Sequence, residues 1–250
     1  MICMITAAGC SNGNNAASSE TTTTAASEGS KQTVALSDDD DESAGVKDTT
    51  EEALTFLDGA APLFGNYMRR RRTMPLTFET EVTVQGMTWN TKLYIEDEDT
   101  CAMYSEDPSG IATKVIYDDK KGYQIDYNNK QVYEQELSNA ELRIQVDMQR
   151  LATLDYNEIS ASSYSTDTEE YEGTEYDCVT ITEPNSGASG KHYFDKSTGK
   201  LVFSVSGDYV TKVIKFENSI DDKSVFEVPS DFTKKTYENL VEEQNAANAE

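Results

Sequence analysis

Apolar and polar residues alternate along much of the chain. In segment 76–85, Leu76, Phe78, Val82 and Val84 are separated by polar residues, so one face of the segment is apolar and the other is polar. A period of two residues is typical of a half-buried β-strand. Further segments rich in β-branched and aromatic residues follow, bounded by turn residues. Together these segments predict about eleven strands, at 76–85, 88–96, 101–105, 112–117, 122–127, 131–135, 158–164, 175–182, 191–194, 201–206 and 210–217.

The connections between these segments indicate hairpins. Residues 118–121 and 128–130 are short and polar, as in the loops that join antiparallel strands. The segment 195–200 (DKSTGK) places Gly199 where a tight turn needs a positive φ, and SGD at 206–208 is a second turn of this kind. The strands are therefore predicted to form an antiparallel meander.

A helical period replaces the alternation at two places. Thr49 and Glu52 have the spacing of a capping box at the start of an apolar stripe, and Ser138 and Glu141 repeat that spacing. The second stripe predicts a helix over about 138–154, with Leu142, Val146 and Leu151 among its apolar residues. Beyond 236 the chain is predicted to be a frayed helix or disordered.

These elements predict an α+β fold. A sheet of about eleven antiparallel strands cannot remain flat, because the twist between neighbouring strands accumulates and curls the sheet toward a barrel. Helices must cover an apolar face of such a sheet. We therefore expect a half-open β-barrel with the helices covering its concave face.

Composition divides the chain into regions. Residues 11–50 contain almost no large apolar side chain, so they cannot bury enough surface to offset the entropy of ordering them. We expect a remnant of a signal peptide at 1–9, a flexible Ser/Thr-rich and acidic linker at 10–48, a folded domain at 49–235 and a polar tail at 236–250. A linker of about forty residues would reach roughly 35 Å or more.

The protein is strongly acidic. Its formal net charge is -25, from 21 Lys and Arg residues against 46 Asp and Glu residues, which makes nucleic acid an unfavourable partner. One basic cluster stands out, formed by Arg69, Arg70, Arg71 and Arg72. Either it is the solvated end of a helix, where cations suit the helix dipole, or it contacts anionic lipid headgroups or a cell-wall polymer.

The start of the chain resembles a bacterial lipoprotein. Residues 1–9 are similar to the end of a secretory signal, without its positively charged start and long apolar core, as a late start codon or a truncation would give. Ala7, Ala8, Gly9 and Cys10 resemble a lipobox, although Ala7 stands where that motif usually has Leu. The resemblance implies lipidation of Cys10 and anchoring at the extracellular face of a bacterial membrane or in the periplasm. The alternative is a disordered tail with an accidental cysteine.

The residue inventory gives little support for catalysis. His192 is the single histidine, and no G-x-S-x-G elbow, phosphate loop or CxxC metal spacing accompanies it. We expect a non-enzymatic protein without a cofactor or metal. Cys101 and Cys178 either form a disulfide or remain small buried hydrophobes.

Several aromatic residues lie on neighbouring predicted strands. They could be cross-strand pairs that stabilise the sheet, the lining of a lipid cavity, or an exposed platform for sugars. The set comprises Trp89, Tyr94, Tyr117, Tyr123, Tyr127 and Tyr133.

The end of the domain resembles LolA-like lipoprotein carriers. The resemblance lies in HYFDKSTGKLVFSVSGDYVTKVIKFENSIDDKSVFEVPSDF (192–232), with a strand, a Thr-Gly hairpin, two more strands, and then Phe226, Pro229 and Phe232. The order of elements over about 50–235 also fits. The resemblance implies a half-open barrel lidded by helices, enclosing an apolar cavity for acyl chains or other hydrophobic ligands.

Two hypotheses of function follow. The first is a lipoprotein that binds a hydrophobic ligand, a lipid or an acyl chain, between the sheet and the helices; its candidate cavity residues are Phe78, Val82, Trp89, Leu142, Val146 and Leu151. The second is a surface scaffold that binds a protein or a polysaccharide and has a filled core. A space between the helix at 138–154 and the sheet would favour the first hypothesis, whereas a well-packed interior would favour the second.

Overall fold

The computed structural model describes residues 48–151 and 154–247. The expected signal remnant, the lipobox with Cys10 and nearly all of the expected linker lie outside the described residues. No helix among the described residues is long and apolar enough to cross a membrane.

The described residues form one curved sheet with five α-helices, an α+β fold whose open sheet corresponds to an unclosed barrel. The order of the strands across the sheet is β12-β6-β5-β4-β3-β2-β1-β11-β10-β9-β8-β7. The strands are β1 (Leu76–Val84), β2 (Met87–Ile95), β3 (Cys101–Glu106), β4 (Ala112–Asp118), β5 (Lys121–Asp126), β6 (Gln131–Glu136), β7 (Ser163–Tyr171), β8 (Thr174–Thr182), β9 (Ser189–Phe194), β10 (Leu201–Ser206), β11 (Tyr209–Glu217) and β12 (Thr233–Thr236).

The helices precede the sheet, interrupt it and follow it. They are α1 (Thr50–Ala60), α2 (Pro62–Arg72), α3 (Asn139–Arg150), α4 (Tyr156–Ala161) and α5 (Tyr237–Ala247), and a 3-10 turn spans Lys223–Phe226. The tail after 236 is thus helical as far as Ala247. The helix expected after Thr49 is α1, and the second helix α2 begins at Pro62, whose missing N–H suits the first position of a helix.

The sheet is mixed rather than purely antiparallel. Eleven of its strands pair antiparallel with their neighbours, and β1 joins the two halves of the series by pairing with both β2 and β11. The additional strand β12 pairs parallel with β6, with Thr233 opposite Gln131. The sequence predicted only antiparallel strands, because the short run TKKT of β12 has no alternating apolar pattern that would reveal a strand there.

One face of the sheet packs on helices α1, α2 and α3, and we call it the helix face. Within the β1–β2 ladder Phe78 lies opposite Leu93 and Val82 opposite Trp89, so all four side chains share this face. One core cluster joins α1 and α2 to β8, β9 and β10, and includes Leu57, Phe64, Val179 and Phe194. A second cluster joins β1, β2, β3 and β11 to Val146 of α3.

The opposite, outer face is covered in part by the chain that follows β11. Phe226, Val228 and Phe232 pack on a cluster formed by Ala102, Ile116, Ile125 and Val132. Farther along the sheet the ring of Tyr193 stacks on that of Phe203, with 4.3 Å between their centroids. The sheet therefore buries apolar residues on both of its faces.

The first half of the meander was predicted well, and the errors lie in the second half. The expected strand 158–164 is wrong, because Tyr156–Ala161 is the helix α4 and the strand β7 begins at Ser163. Residues 165–170 of β7 (STDTEE) are polar on both faces, so they have no apolar period to reveal a strand. Among the described residues, β7 pairs with a strand on one side only.

Of the two expected capping boxes, one forms. Ser138 accepts a hydrogen bond from the Glu141 amide, and the Glu141 carboxylate accepts one from the Ser138 amide. Thr49 makes no side-chain cap; its hydroxyl instead donates to the Leu154 carbonyl at 3.1 Å and accepts from the Tyr156 amide at 2.9 Å. Tertiary partners thus replace the local one.

Cys101 and Cys178 are both buried free thiols, so no disulfide joins them. Cys101 lies on β3 and Cys178 on β8, and many strands separate these two in the sheet. Burial raises the pKa of Cys101 to about 12, as expected for a thiol that packs as a small hydrophobe.

Candidate functional site

Two phenylalanine rings on neighbouring strands form an aromatic floor on the helix face. Phe78 of β1 and Phe216 of β11 lie opposite each other, with 5.3 Å between ring centroids and their planes almost perpendicular. Tyr67 of α2 packs on both rings, with centroids 6.5 Å from Phe78 and 5.7 Å from Phe216. Edge-to-face contacts of this kind hold the rings in fixed positions.

Two arginines of α2 lie over this floor. The guanidinium of Arg71 is 4.5 Å from the centre of the Phe78 ring, and that of Arg70 is 4.3 Å from the centre of the Phe216 ring. Arg70 also donates a hydrogen bond to the Phe216 carbonyl at 3.1 Å. Tyr67, Arg70 and Arg71 are three and four residues apart, which places them on one face of the helix.

Arg71 is buried without a hydrogen-bond partner at its end. Only 1% of its surface is exposed, and neither terminal nitrogen donates a hydrogen bond to a described residue. Burial lowers the pKa of Arg71, and the nearby Tyr67 hydroxyl opposes that shift. Because arginine keeps its proton at neutral pH, the site contains a buried positive charge.

The apolar row continues beyond the floor toward the ends of the hairpins. Thr80 and Thr91 share a hydrogen bond at 2.6 Å across β1 and β2. Past this pair, Val82 and Trp89 lie opposite each other and are partly exposed. Met87 at the end of the β1–β2 hairpin is 47% exposed, and Tyr209 at the start of β11 is 42% exposed. We call this set, Val82, Val84, Met87, Trp89 and Tyr209, the open row.

Helix α3 lies beside the floor and has two apolar faces. Leu142 and Val146 are buried, whereas Ile144 and Met148 on the opposite side are 55% and 62% exposed. An Arg143–Glu98 ion pair at 2.8 Å attaches α3 near β2. The helix therefore contacts the sheet through a narrow set of side chains.

The residues predicted to line a cavity do not all come together. Phe78 and Val146 belong to the cluster at the floor, and Leu142 is buried at α3. Leu151 is not helical: with φ at 56° it caps α3, and it packs on the other core cluster. Val82 and Trp89 lie in the open row.

The four arginines do not form a free surface patch. Arg69 pairs with Asp58 at 2.6 Å, and Arg72 donates to the Leu151 carbonyl at 3.0 Å. Arg71 is buried, so it cannot contact a surface, which corrects its assignment among the surface residues. The reason is the helical spacing, since consecutive residues of α2 point in directions about 100° apart.

Tyr67 and Phe216 were not predicted from the sequence as parts of this site. The signal for Tyr67 was its position four residues before Arg71, in line with Phe64. Phe216 carries no local signal, because only the pairing of β1 with β11 brings it beside Phe78.

Two depressions formed by the described residues lie away from the floor. One, of about 590 Å³, is lined by residues of α1 and Tyr156; the other, of about 650 Å³, lies between β4 and the segment 224–231. The floor itself is filled by side chains from the helices.

The aromatic set predicted from sequence is divided between the two faces. Tyr117 belongs to the cluster at the floor, and Tyr94, Tyr123 and Tyr127 pack on the outer face. No single platform or lining collects all of them.

His192 is a partly buried residue beneath α2. Its Nδ1 lies 2.9 Å from the Ser204 hydroxyl, and its ring centroid lies 4.8 Å from that of Phe64. Burial lowers its pKa to about 4, so the imidazole is neutral at pH 7.

No family model and no curated protein matches this chain. Among solved structures, it is similar to an uncharacterized conserved protein from Thermus thermophilus, at 9% identity and a TM-score of 0.43, over 71% of this chain and 99% of the other. It is also similar to a chain of the Pseudomonas aeruginosa MucA/MucB complex, at 10% identity and a TM-score of 0.43, over 70% of this chain and 62% of the other. A structure of MucB in complex with MucA(peri) gives 8% identity and a TM-score of 0.40, over 70% of this chain and 60% of the other. The fold assignment therefore rests on the sheet and helices described above.

Proposed function

We propose that this protein is a non-enzymatic bacterial lipoprotein whose LolA-like domain binds a hydrophobic ligand, an acyl chain, on the helix face. The lipid on Cys10 would anchor it at the extracellular face of the membrane or in the periplasm, and the linker 10–48 would hold the domain away from the bilayer. Two or three acyl chains would make the anchoring stable, where one would not.

The observation that carries this proposal is the open row. From Phe78 to Val84 the helix face of β1 is apolar except for Thr80, and the covering helices bury only the first part of this row. A sheet face with partly exposed Val82 and Trp89 and an exposed Met87 is a surface that favours an apolar occupant. The ligand would lie along this row and extend toward the floor.

Entry to the floor requires a movement of side chains, since the helices fill it. Helix α3 is the element that can move away from the floor most easily, because its described buried residues are limited to Leu142 and Val146. Its exposed Ile144 and Met148 would offer apolar surface to the acyl chain of a ligand lying beside α3.

The position of Trp89 gives a direct test. It is the only tryptophan in the chain, so fluorescence excited selectively at tryptophan reports on the open row. Titration of residues 48–250 with palmitate below its critical micelle concentration should shift the emission to shorter wavelength and protect it from acrylamide quenching. Native mass spectrometry should show the bound acid.

Matched variants separate this site from the outer face. Val82→Asp should weaken binding at least about tenfold, because it places a charge in an apolar row. Thr83→Asp, at the neighbouring position of β1 on the outer face, should leave the affinity unchanged. The ligand proposal would be rejected if the protein purifies without bound lipid and Trp89 shows no response to palmitate or to phospholipid.

A scaffold that binds a protein or a polysaccharide is the second candidate. The packed floor and the exposed Ile144 and Met148 favour it. Under this alternative, the protein would bind no lipid, and Ile144→Ser together with Met148→Ser would abolish pull-down of a partner from delipidated cell-surface extract.

Anchoring through Cys10 is tested separately. Mass analysis of the N-terminal peptide extracted from membranes should find a modified Cys10 at the terminus. An unmodified cysteine still preceded by residues 1–9 would reject the lipoprotein proposal and leave the ligand proposal standing.

A further inference from the structure

We propose that the ligand is an anionic single-chain amphiphile, whose terminal carboxylate or phosphate pairs with Arg71 while its chain follows the open row. This inference rests on the proposed function and adds the chemistry of the head group. The observation behind it is the almost fully buried guanidinium of Arg71, whose two terminal nitrogens donate no hydrogen bond to a described residue.

A buried charge without a partner is costly, so its presence requires an explanation. Buried polar groups are nearly always hydrogen-bonded, and a buried ion usually has an opposite charge beside it. The chain contains 46 acidic residues, yet the terminal nitrogens of Arg71 reach no carboxylate of the described residues. Arg69, two positions earlier, has Asp58 at 2.6 Å. The fold thus pairs an exposed arginine and leaves a buried one unpaired.

The terminal nitrogens of Arg71 are buried and unbonded. Its guanidinium carbon lies 4.5 Å from the centre of the Phe78 ring, and neither terminal nitrogen donates a hydrogen bond to a described residue. The guanidinium fork matches the paired oxygens of a carboxylate or a phosphate. Arg70, on the adjoining ring, adds a second positive charge that also favours an anion.

The head-group site and the apolar row are continuous. Phe78, Thr80, Val82 and Val84 follow one another on the same face of β1. The six residue-to-residue steps from Phe78 to Val84 extend about 20 Å, comparable with the length of a long acyl chain. A molecule with one anionic end and one apolar chain would satisfy Arg71 at one end and cover Trp89 at the other.

The test compares head groups on one chain length. Trp89 fluorescence would measure the affinity of residues 48–250 for palmitate, hexadecyl phosphate, methyl palmitate and hexadecanol, with inorganic phosphate as a probe without a chain. We expect the two anionic amphiphiles to bind at least about tenfold more tightly than the two neutral ones, as hydrogen bonds to charged groups imply.

Substitutions assign that preference to Arg71. Arg71→Met keeps an apolar side chain of similar length over Phe78 and should bind all four amphiphiles with equal affinity. Arg69→Met removes an exposed arginine of the same helix and should retain the preference. The unliganded Arg71→Met domain should have a melting temperature no lower than the wild type, because the substitution removes a buried charge without a partner.

Each contrary result has a distinct meaning. Equal binding of charged and neutral amphiphiles by the wild-type domain would overturn the head-group inference and leave the proposed function intact. Stabilisation by inorganic phosphate that is lost in Arg71→Met, without preference among amphiphiles, would identify a site for a free anion and would also overturn it. If Arg71→Met does not fold, the wild-type comparison decides. No Trp89 response to any amphiphile would reject the proposed function itself.

Discussion

Two polar side chains on the helix face, the partly buried His192 and the buried Arg71, are accommodated in different ways. His192 is neutral and has the Ser204 hydroxyl at 2.9 Å, so its burial leaves Nδ1 satisfied. Arg71 stays charged, and its terminal nitrogens have no described partner. Arg71 belongs to α2, and His192 lies beneath it. Each side chain has a consequence that can be measured. The consequence for Arg71 is ligand selectivity, and that for His192 is a dependence of stability on pH.

The stability of the domain should fall in acid partly through His192. Its folded pKa is about 4, below the usual 6.5, so between these values the unfolded chain binds a proton that the folded one does not. This contribution to the free energy of unfolding is present above pH 6.5 and decreases toward pH 4, by at most about 1.4 kcal/mol per pH unit. Urea unfolding at several pH values would measure it.

His192→Asn is the matched variant, since an amide can keep a hydrogen bond to Ser204 and does not titrate in this range. The chain has no other histidine, so no second imidazole contributes to the pH dependence of either protein. As pH falls from 6.5 to 4, the unfolding free energy of the wild type should decrease relative to that of the variant. A difference that stays constant would contradict the neutral, partly buried state of His192.

Helix α3 shows how one element can be held by local and distant contacts. Its start is fixed locally by the Ser138–Glu141 capping box, and its packing depends on the buried Leu142 and Val146. Its exposed Ile144 and Met148 contribute no described core contact. We therefore expect α3 to open more easily than the strands beneath it.

Ser138→Ala should loosen α3 specifically. Loss of the cap costs about 1 kcal/mol of helix stability, so amide exchange in 139–150 should accelerate by about fivefold if α3 opens locally. Hydrogen–deuterium exchange with mass spectrometry would measure this. Ser162→Ala, at the end of α4, is the control and should leave exchange in α3 unchanged. Equal protection of α3 in wild type and Ser138→Ala would show that tertiary contacts alone hold the helix.

Both faces of the sheet are apolar and require other segments of the protein to pack on them. The helices cover one face, and the C-terminal segment covers Ala102, Ile116, Ile125 and Val132 on the other. That segment then adds β12 to the edge of β6. The C-terminal segment is therefore part of the folded domain.

Two truncations test this role. Removal of residues 223–250 takes away Phe226, Val228 and Phe232 and should lower the melting temperature strongly or cause aggregation, because it exposes an apolar cluster. Removal of residues 237–250 leaves that cover and β12 in place, and loses mainly the burial of Leu240, worth about 1.5–3 kcal/mol. Similar melting temperatures for both truncations would show that the cover contributes little.

Local patterns in the sequence determined most of the strands, the turn at Gly199 and the cap of α3. Gly199 has φ at 63°, as its place in the hairpin predicted. These features depend on neighbours within a few residues, so the chain displays them directly. The polar strand β7 and the helix α4 were missed because neither has an apolar period that distinguishes it.

Only the tertiary structure decided which side chains form the candidate site. The basic cluster at 69–72 is continuous in sequence, but α2 directs its members to different partners and buries Arg71 over Phe78. The second ring of the floor, Phe216, comes from a strand far along the chain that pairs with β1. Burial and contacts between distant segments arise from the packing of the whole sheet, and a local pattern of residues cannot specify them.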